Sequence, residues 1–285
     1  MSVSDLPPLR EVIARHSLGA DKRFGQHFLL DLNLTGKIAR LCGDMSEASV
    51  FEVGPGPGGL TRALIEHGAG EVIAIEKDRR FLPALEEIGE ASGGGLSVVE
   101  ADALEVDETA VQTRFSTRML ASNLPYNVGT ALLIKWLQAD PAWWSRLVLM
   151  FQKEVAERVV ARAGESQYGR LAILTAAVAS PRYAFTVPAR AFTPPPKVDS
   201  AVVVLEPLPA EARFSDLDAL SIVTESAFGQ RRKTLRKSLG QAAGKAGASS
   251  EALLDAAGLD PGARAETIPP EGFFALARAW RAAKG

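Results

Sequence analysis

The run Asn123-Leu124-Pro125-Tyr126 contains residue types that could activate an exocyclic amine on a nucleobase. Such an amine is a poor nucleophile because its lone pair is delocalised into the ring. Two acceptors on its hydrogens, the Asn123 side-chain oxygen and the backbone carbonyl of Leu124 or Pro125, would favour a tetrahedral nitrogen and free that lone pair. Tyr126 offers a surface on which a base can stack. The same four residues could also form a plain turn, because Asn and Pro are common turn residues.

A glycine-rich turn lies earlier in the chain, between a predicted strand and a predicted helix. Read at Gly54, Gly56 and Gly59 it matches the GxGxxG pattern. Glu76 follows at the end of the next predicted strand, where an acid can accept hydrogen bonds from ribose hydroxyls. The two prolines inside the turn remove N–H donors that a pyrophosphate would need. S-adenosylmethionine, which has a ribose and no phosphate, therefore fits better than a nicotinamide cofactor, although a nicotinamide enzyme and a ligand-free turn both remain open.

Composition indicates a folded protein without a disulfide framework. The chain has 285 residues, of which 47% are hydrophobic and 23% charged, enough for the core of one large and one small domain. Cys42 is the single cysteine, and the three histidines are scattered, so we expect no metal site and a reducing compartment. No apolar run approaches about 18 residues, and the N-terminus lacks a basic-then-apolar signal, so we expect a cytoplasmic protein without a membrane span.

The elements that would position these motifs alternate along the first two thirds of the chain. Short apolar runs predict strands over residues 50–53, 71–76, 96–100, 118–121, 147–151, 182–187 and 201–205. Segments with helical spacing lie between the early strands, which predicts a doubly wound α/β domain with a parallel sheet and helices on both faces. Beyond Pro207 and Pro209 only helical patterns remain. We therefore predict an α/β domain over residues 1–207 and a small all-helical domain over residues 208–285.

A basic stretch without any acidic residue extends from Ser226 to Ser250. Its candidate phosphate-binding cations are Arg231, Arg232, Lys233, Arg236 and Lys237. Such a local patch is enough to bind nucleic acid even though the formal net charge of the chain is −2. A solvated helix face is the alternative interpretation.

Taken together, these motifs resemble those of the small-subunit ribosomal RNA adenine dimethyltransferases. The matching runs cover residues 23–29, 53–59, 100–103, 123–126, 151–155, 168–171, 192–200 and 228–233. They occur in the family's order and span almost the whole chain. The resemblance implies a Rossmann-like, S-adenosylmethionine-dependent methyltransferase sheet of seven strands, one of them antiparallel in the last pair, followed by a helical RNA-binding domain.

The resemblance also implies roles for individual residues. His27 and Leu29 would help to close the S-adenosylmethionine pocket, and many family members have Asn where this chain has His27. The remaining cofactor contacts would be Gly54 at the floor of the pocket, Glu76 at the ribose, Asp102 at the adenine amine, and Asn123. Phe192 would hold the target adenine against Tyr126, although Phe192 could instead be a core aromatic.

The implied activity is the transfer of methyl groups to N6 of two adjacent adenines in a 3′-terminal hairpin loop of small-subunit ribosomal RNA. The implied partner is that RNA within a small-subunit precursor, bound by a monomer. Three alternatives remain: a related enzyme that methylates a large-subunit adenine, a non-catalytic assembly or transcription factor, and a nicotinamide dehydrogenase. The runs 168–171 and 228–233 favour the small-subunit group over the large-subunit enzyme.

Overall fold

The structure is a computed structural model that describes residues 2–20, 26–230 and 232–285. The predicted RNA-binding residue Arg231 and the first part of the run 23–29 lie outside these described residues. None of the helices in the described part of the chain is both long and apolar enough to cross a membrane.

Helices and short strands alternate through the first two thirds of the chain, and helices alone follow. The strands are β1 (Phe28–Leu29), β2 (Ala48–Val53), β3 (Glu71–Glu76), β4 (Leu96–Glu100), β5 (Thr117–Asn123), β6 (Arg146–Gln152), β7 (Ala179–Val187), β8 (Phe192–Thr193) and β9 (Ser200–Pro207). The helices are α1 (Leu9–Arg15), α2 (Leu32–Arg40), α3 (Gly59–Glu66), α4 (Leu82–Ala91), α5 (Gly129–Leu137), α6 (Lys153–Val160), α7 (Arg170–Val178), α8 (Leu217–Gly229), α9 (Leu235–Ser238), α10 (Gly240–Lys245), α11 (Ser250–Ala256) and α12 (Pro270–Lys284).

Seven of the strands form one sheet in the order β4-β3-β2-β5-β6-β9-β7. The pairs from β4 to β6 are parallel, whereas β9 runs antiparallel to β6. Every residue of β2 is buried, including Ser49 and Glu52, as expected for a central strand that is covered on both faces. The prediction of a doubly wound, seven-stranded sheet with an antiparallel strand is confirmed.

β1 and β8 form a second, two-stranded sheet. Leu29 of β1 pairs with Phe192 of β8, and Phe28 pairs with Thr193, in antiparallel register. Directly after β1, the carboxylate of Asp31 caps α2 by accepting a hydrogen bond from the backbone of Asn33 at 2.9 Å. The N-terminal segment is therefore fixed just before and just after the predicted cofactor residue Leu29.

The described chain divides into two compact units, and the division differs from the predicted domains. The first unit comprises Met1–Ala156 and Arg182–Pro207, and the second comprises Glu157–Pro181 and Leu208–Gly285. The predicted boundary after residue 207 is present, but residues 157–181 group with the helical tail, so a single cut does not separate the units. Tyr168 supplies the physical reason: it is buried, its hydroxyl donates to the Ile268 carbonyl at 2.8 Å, and its ring packs edge-on against Phe228.

The second unit is helical, with an aromatic core. Phe228 and Phe273 lie 5.5 Å apart between ring centroids, and the Trp280 indole donates to the Ala242 carbonyl at 2.7 Å. The segment 233–241, which has the spacing of one helix, forms two short helices, α9 and α10, that meet at Leu239 and Gly240. Buried Leu235 and Leu239 keep its apolar side inward.

Candidate active site

A cavity opens in the first unit at the carboxyl ends of β2, β3 and β5. The strand order changes direction here, with β3 on one side of β2 and β5 on the other. Open α/β sheets bind their ligands at such a point. The cavity lining includes every predicted cofactor-binding and catalytic residue except Phe192. These residues are His27, Leu29, Gly54, Glu76, Asp102, Asn123, Leu124, Pro125 and Tyr126.

The glycine-rich turn between β2 and α3 uses its own N–H groups inside the protein. Gly54 donates to a carbonyl near the end of β3 at 2.9 Å, Gly56 donates to the Glu76 carboxylate at 3.2 Å, and Gly58 donates to the Pro55 carbonyl at 3.0 Å. All three glycines have φ between 54° and 86°, a conformation that favours glycine. Because the prolines of the turn have no N–H, little remains for a pyrophosphate, and the turn fits a cofactor without phosphates.

The same turn lies directly against the loop that contains Asn123 and Tyr126. A Cβ atom on Gly54 would lie 3.2 Å from Cγ of Pro125, and one on Gly56 would lie 3.5 Å from the Phe28 ring. Without a Cβ atom, the turn can approach these side chains closely. The predicted cofactor side and the predicted target side of the cavity are therefore adjacent.

Glu76 lies at the end of β3 with both carboxylate oxygens directed by backbone donors. Gly56 donates to one oxygen at 3.2 Å, and Asp78 donates to the other at 2.8 Å. Burial raises the pKa of Glu76, and these two hydrogen bonds oppose that rise. Each carboxylate oxygen can accept more than one hydrogen bond, so both can also accept from ribose hydroxyls.

Asp102 lies in the loop after β4 and is held from two sides. Lys77 donates to its carboxylate at 2.7 Å, and this hydrogen bond lowers the pKa of Asp102, which keeps it an acceptor. On the other side, Lys135 of α5 donates to the Ala103 carbonyl at 2.9 Å and forms an ion pair with buried Glu108. Because α5 begins just after Tyr126, one helix supports both the predicted cofactor loop and the predicted target loop.

Glu52 also lines the cavity, although no sequence motif indicates a role for it. Its side chain is 2% exposed within β2, and the Thr61 hydroxyl donates to it at 2.6 Å. Burial raises its pKa to about 8, the Thr61 hydrogen bond opposes that rise, and the Glu76 charge adds to it. The sequence signal for Glu52 is an acidic residue inside a mostly apolar strand.

The two amide atoms of Asn123 have different surroundings. Its Nδ2 donates to the His27 carbonyl at 3.2 Å, which leaves Oδ1 as the atom that can accept from an amine in the cavity. The Pro125 carbonyl accepts two backbone N–H groups at the start of α5, at 2.9 and 3.2 Å. Since the Pro125 carbonyl is used to begin the helix, the Leu124 carbonyl is the better second acceptor of the two that the sequence left open.

Tyr126 and His27 form the side of the cavity where the target base is predicted. The ring centroids of the two residues lie 5.3 Å apart with a 34° tilt. The Tyr126 hydroxyl shares a hydrogen bond of 2.5 Å with buried Ser200, and burial raises the pKa of Tyr126. His27 Nδ1 donates to the Pro194 carbonyl at 2.8 Å. These contacts fix both rings through their polar atoms and leave ring surface for a base.

Phe192 is the predicted site residue that does not line the cavity. It pairs with Leu29 across the small sheet, is 3% exposed, and belongs to the hydrophobic core of the first unit. In this structure it is a core aromatic that fixes the position of β1. Contact with a target adenine would require its side chain to turn out of the core, so its role beside Tyr126 stays a prediction.

The predicted RNA-binding cations lie in the second unit, where the described ones are exposed. Arg232, Lys233, Arg236 and Lys237 all direct their side chains to solvent. Arg236 approaches a carboxylate oxygen of Glu251 at 4.0 Å. The arrangement, with leucines inward and cations outward, fits both a solvated face and a phosphate-binding face.

Comparison with known proteins shows that this chain has close relatives over almost its full length. A family model described as "Ribosomal RNA adenine dimethylase" matches residues 18–280. A ribosomal RNA small subunit methyltransferase A of Maricaulis maris is 64% identical over 283 residues, which are 99% of this chain and 98% of that protein. The protein of the same name from Phenylobacterium zucineum is 57% identical over 282 residues, covering 99% of this chain and 95% of its own.

Solved structures agree with this result. A dimethyladenosine transferase from Plasmodium falciparum superposes with a TM-score of 0.73 at 28% identity, covering 88% of this chain and 96% of its own. The 23S rRNA methyltransferase ErmE superposes with a TM-score of 0.62 at 27% identity, covering 89% and 99%. The family match and the relatives extend over both units, not over the sheet alone.

Proposed function

Because the chain belongs to the ribosomal RNA adenine dimethylase family, we propose that it methylates N6 of two adjacent adenines in a 3′-terminal hairpin loop of small-subunit ribosomal RNA. It is an S-adenosylmethionine-dependent adenine dimethyltransferase with a Rossmann-like fold, and it acts in small-subunit biogenesis. The observation that carries the proposal is one cavity in which the glycine-rich turn meets the Asn123–Tyr126 loop.

The chain's own groups fit S-adenosylmethionine. Glu76 offers buried acceptor oxygens to the ribose, and Asp102 offers an ionised carboxylate to the adenine amine. Gly54, His27 and Leu29 also line the cavity, where the backbone of Gly54 would face the cofactor. The turn has few N–H groups available to bind a pyrophosphate, which counts against a nicotinamide dinucleotide.

The chemistry needs positioned acceptors more than a strong base. S-adenosylmethionine supplies an electrophilic methyl group, and its transfer breaks a C–S bond and leaves a neutral thioether. Asn123 Oδ1 and the Leu124 carbonyl would accept the hydrogens of the target amine and direct its lone pair at the methyl carbon. A C–N bond forms, and N6 gives up one proton to solvent for each methyl group transferred. Positioning and electrostatics supply most of the acceleration.

Recognition of RNA would involve the second unit. Its exposed cations, Arg232, Lys233, Arg236 and Lys237, can bind phosphates through a local patch despite the acidic balance of the whole chain. An adenine in a hairpin loop enters a cavity at lower cost than a stacked one. We further propose that the protein acts as a monomer in the cytoplasm, on RNA within a small-subunit precursor particle.

Replacing Asn123 with alanine tests the proposed chemistry. The substitution removes Oδ1, so we expect methyl transfer to fall about 100-fold or more, in line with the loss of one preorganised polar contact in other active sites. Binding of RNA should be nearly unchanged, because the RNA-binding cations lie elsewhere. Transfer is measured with labelled S-adenosylmethionine on small subunits that lack the modification, and RNA binding by filter retention.

Asn127→Ala is the matched control, because Asn127 lines the same cavity just beyond the motif. It should retain most of the transfer rate. An equal loss of transfer and RNA binding in Asn123→Ala, or full activity in that variant, would contradict the assigned role.

A further inference from the structure

The segment that joins β8 to β9, residues 194–199, forms a proline-rich connection that we call the proline arch. Three consecutive prolines, Pro194 to Pro196, begin it, and Pro196 is buried. The Pro194 carbonyl accepts from His27 at 2.8 Å. At the other end, the Asp199 carboxylate accepts from the backbone of Ala189 at 2.9 Å. Prolines with fixed φ and hydrogen bonds at both ends make the arch a preorganised surface.

The arch is attached to the target side of the cavity at two points. Its beginning holds His27 through Pro194, and Ser200, directly after the arch, holds Tyr126 at 2.5 Å. The rings of His27 and Tyr126 are the pair 5.3 Å apart that border the predicted base. The arch is therefore joined, at both ends, to the two rings that line the target side of the cavity.

Between these attachments the arch exposes a cation and an apolar side chain next to each other. Val198 is 47% exposed, one of three large apolar side chains with high exposure in the described part of the chain. Lys197 is also exposed and forms no ion pair with any of the described residues. A single exposed valine is ordinary, but this one lies beside an unpaired lysine on a preorganised segment whose two ends contact His27 and Tyr126 of the cavity.

We propose that Lys197 and Val198 bind the nucleotide next to the target adenine, with Lys197 at its phosphate and Val198 against its base. This inference rests on the proposed function, which makes the substrate a single-stranded loop of RNA. A nucleotide next to an extruded adenine loses a stacking partner, and an apolar side chain can cover the exposed base face. An ammonium group on the adjacent residue matches the phosphate that follows each base.

Two substitutions separate the two contacts. Lys197→Gln should lower the slope of log kcat/KM against log salt by about 0.7, the value for one phosphate of single-stranded RNA. Val198→Ser should lower kcat/KM for the subunit roughly fivefold through loss of apolar contact, chiefly in KM. Both are measured on small subunits that lack the modification, at fixed Mg²⁺ and over a series of KCl concentrations.

Three controls make the result specific. Lys197→Arg should retain the wild-type slope, and so should Lys284→Gln, which neutralises an exposed lysine in the last turn of α12. The affinity of each variant for S-adenosylmethionine should equal that of the wild type. A weakened cofactor affinity would mean that the arch acts through His27 or Tyr126, and it would overturn the inference.

The outcomes also separate this inference from the proposed function. If the wild type forms dimethyladenosine and the two variants match it in slope and KM, the inference alone is wrong. If the wild type methylates no adenine of the subunit, the proposed function fails and the inference fails with it. A reduced slope for Lys197→Gln together with a raised KM for Val198→Ser supports the arch as an RNA contact.

Discussion

Glu52→Gln should make the stability of the protein less dependent on pH. Glu52 is 2% exposed in β2, and burial raises its pKa to about 8 from an ordinary value of 4.5. Between these two values the folded chain holds a proton that the unfolded chain releases. The free energy of unfolding therefore falls as pH rises from about 4.5 to about 8, and it levels off above that window.

The size of the effect follows from the two pKa values. At about 1.36 kcal/mol per unit, ionisation of this group costs the folded wild type roughly 1 kcal/mol at pH 5 and roughly 4 kcal/mol at pH 8, relative to strongly acidic solution. Glutamine keeps the size of the side chain and never ionises. Relative to the wild type, the variant should thus gain about 3 kcal/mol between pH 5 and pH 8.

Urea unfolding at a series of pH values measures this gain. Trp136, Trp143 and Trp144 all lie in the first unit, so tryptophan fluorescence reports mainly on the unit that contains Glu52. Thr61→Val provides a second variant, because loss of the hydroxyl that lowers the pKa of Glu52 should extend the pH-dependent loss of stability to higher pH. A difference between Glu52→Gln and wild type that is constant from pH 5 to pH 8 would refute the reasoning.

Two further predictions concern the RNA patch and the support of the cofactor loop. Replacing Arg231, Arg232 and Lys233 together with alanine should weaken RNA binding. It should also reduce the slope of log K against log salt by about two units or more. An unchanged slope in filter-binding titrations would identify the patch as a solvated face only. The double variant Lys135→Met/Glu108→Gln removes an ion pair without leaving a lone buried charge. It also removes the hydrogen bond by which Lys135 holds the loop after β4. It should raise KM for S-adenosylmethionine several-fold with kcat little changed, and a wild-type KM would contradict the positioning role of Lys135.

Much of the first unit could be predicted from local sequence. Predicted strands 71–76 and 96–100 coincide with β3 and β4, because apolar runs bounded by glycine or polar residues leave little choice of where a buried strand begins and ends. The order of the motifs along the chain also predicted that they would meet, since the carboxyl ends of parallel strands share one edge of a sheet. The cavity confirms that the predicted cofactor and target motifs lie together.

The second unit shows what local sequence cannot supply. Residues 157–181 extend into the start of β7, yet they group with the tail because Tyr168 packs on Phe228 and donates a hydrogen bond to Ile268. Only the folded chain shows such partners, since they lie 60 or more positions apart in the sequence. The break between α9 and α10 is a different case: the apolar spacing of 233–241 fits one helix, and the helices separate at Gly240, a poor helix former.

Within the site, the sequence predicted which residues would gather but not how their atoms are used. Hydrogen bonds to α5 occupy the Pro125 carbonyl, so the Leu124 carbonyl is the acceptor that we predict for the target amine. Burial, which no motif records, sets the pKa of Glu52 and places Phe192 in the core. Ser200 belongs to a matched run, but its contact with Tyr126 depends on the pairing of β9 with β6.

The most direct test of the central claim is the product formed on ribosomal RNA. Small subunits from a strain that lacks the modification are incubated with the protein and labelled S-adenosylmethionine, and the RNA is digested and analysed by mass spectrometry. We predict dimethyladenosine at two adjacent positions of a 3′-terminal hairpin loop, and no label in large subunits treated in the same way. Transfer to large-subunit RNA alone, or binding of cofactor and subunit without any transfer, would contradict the account.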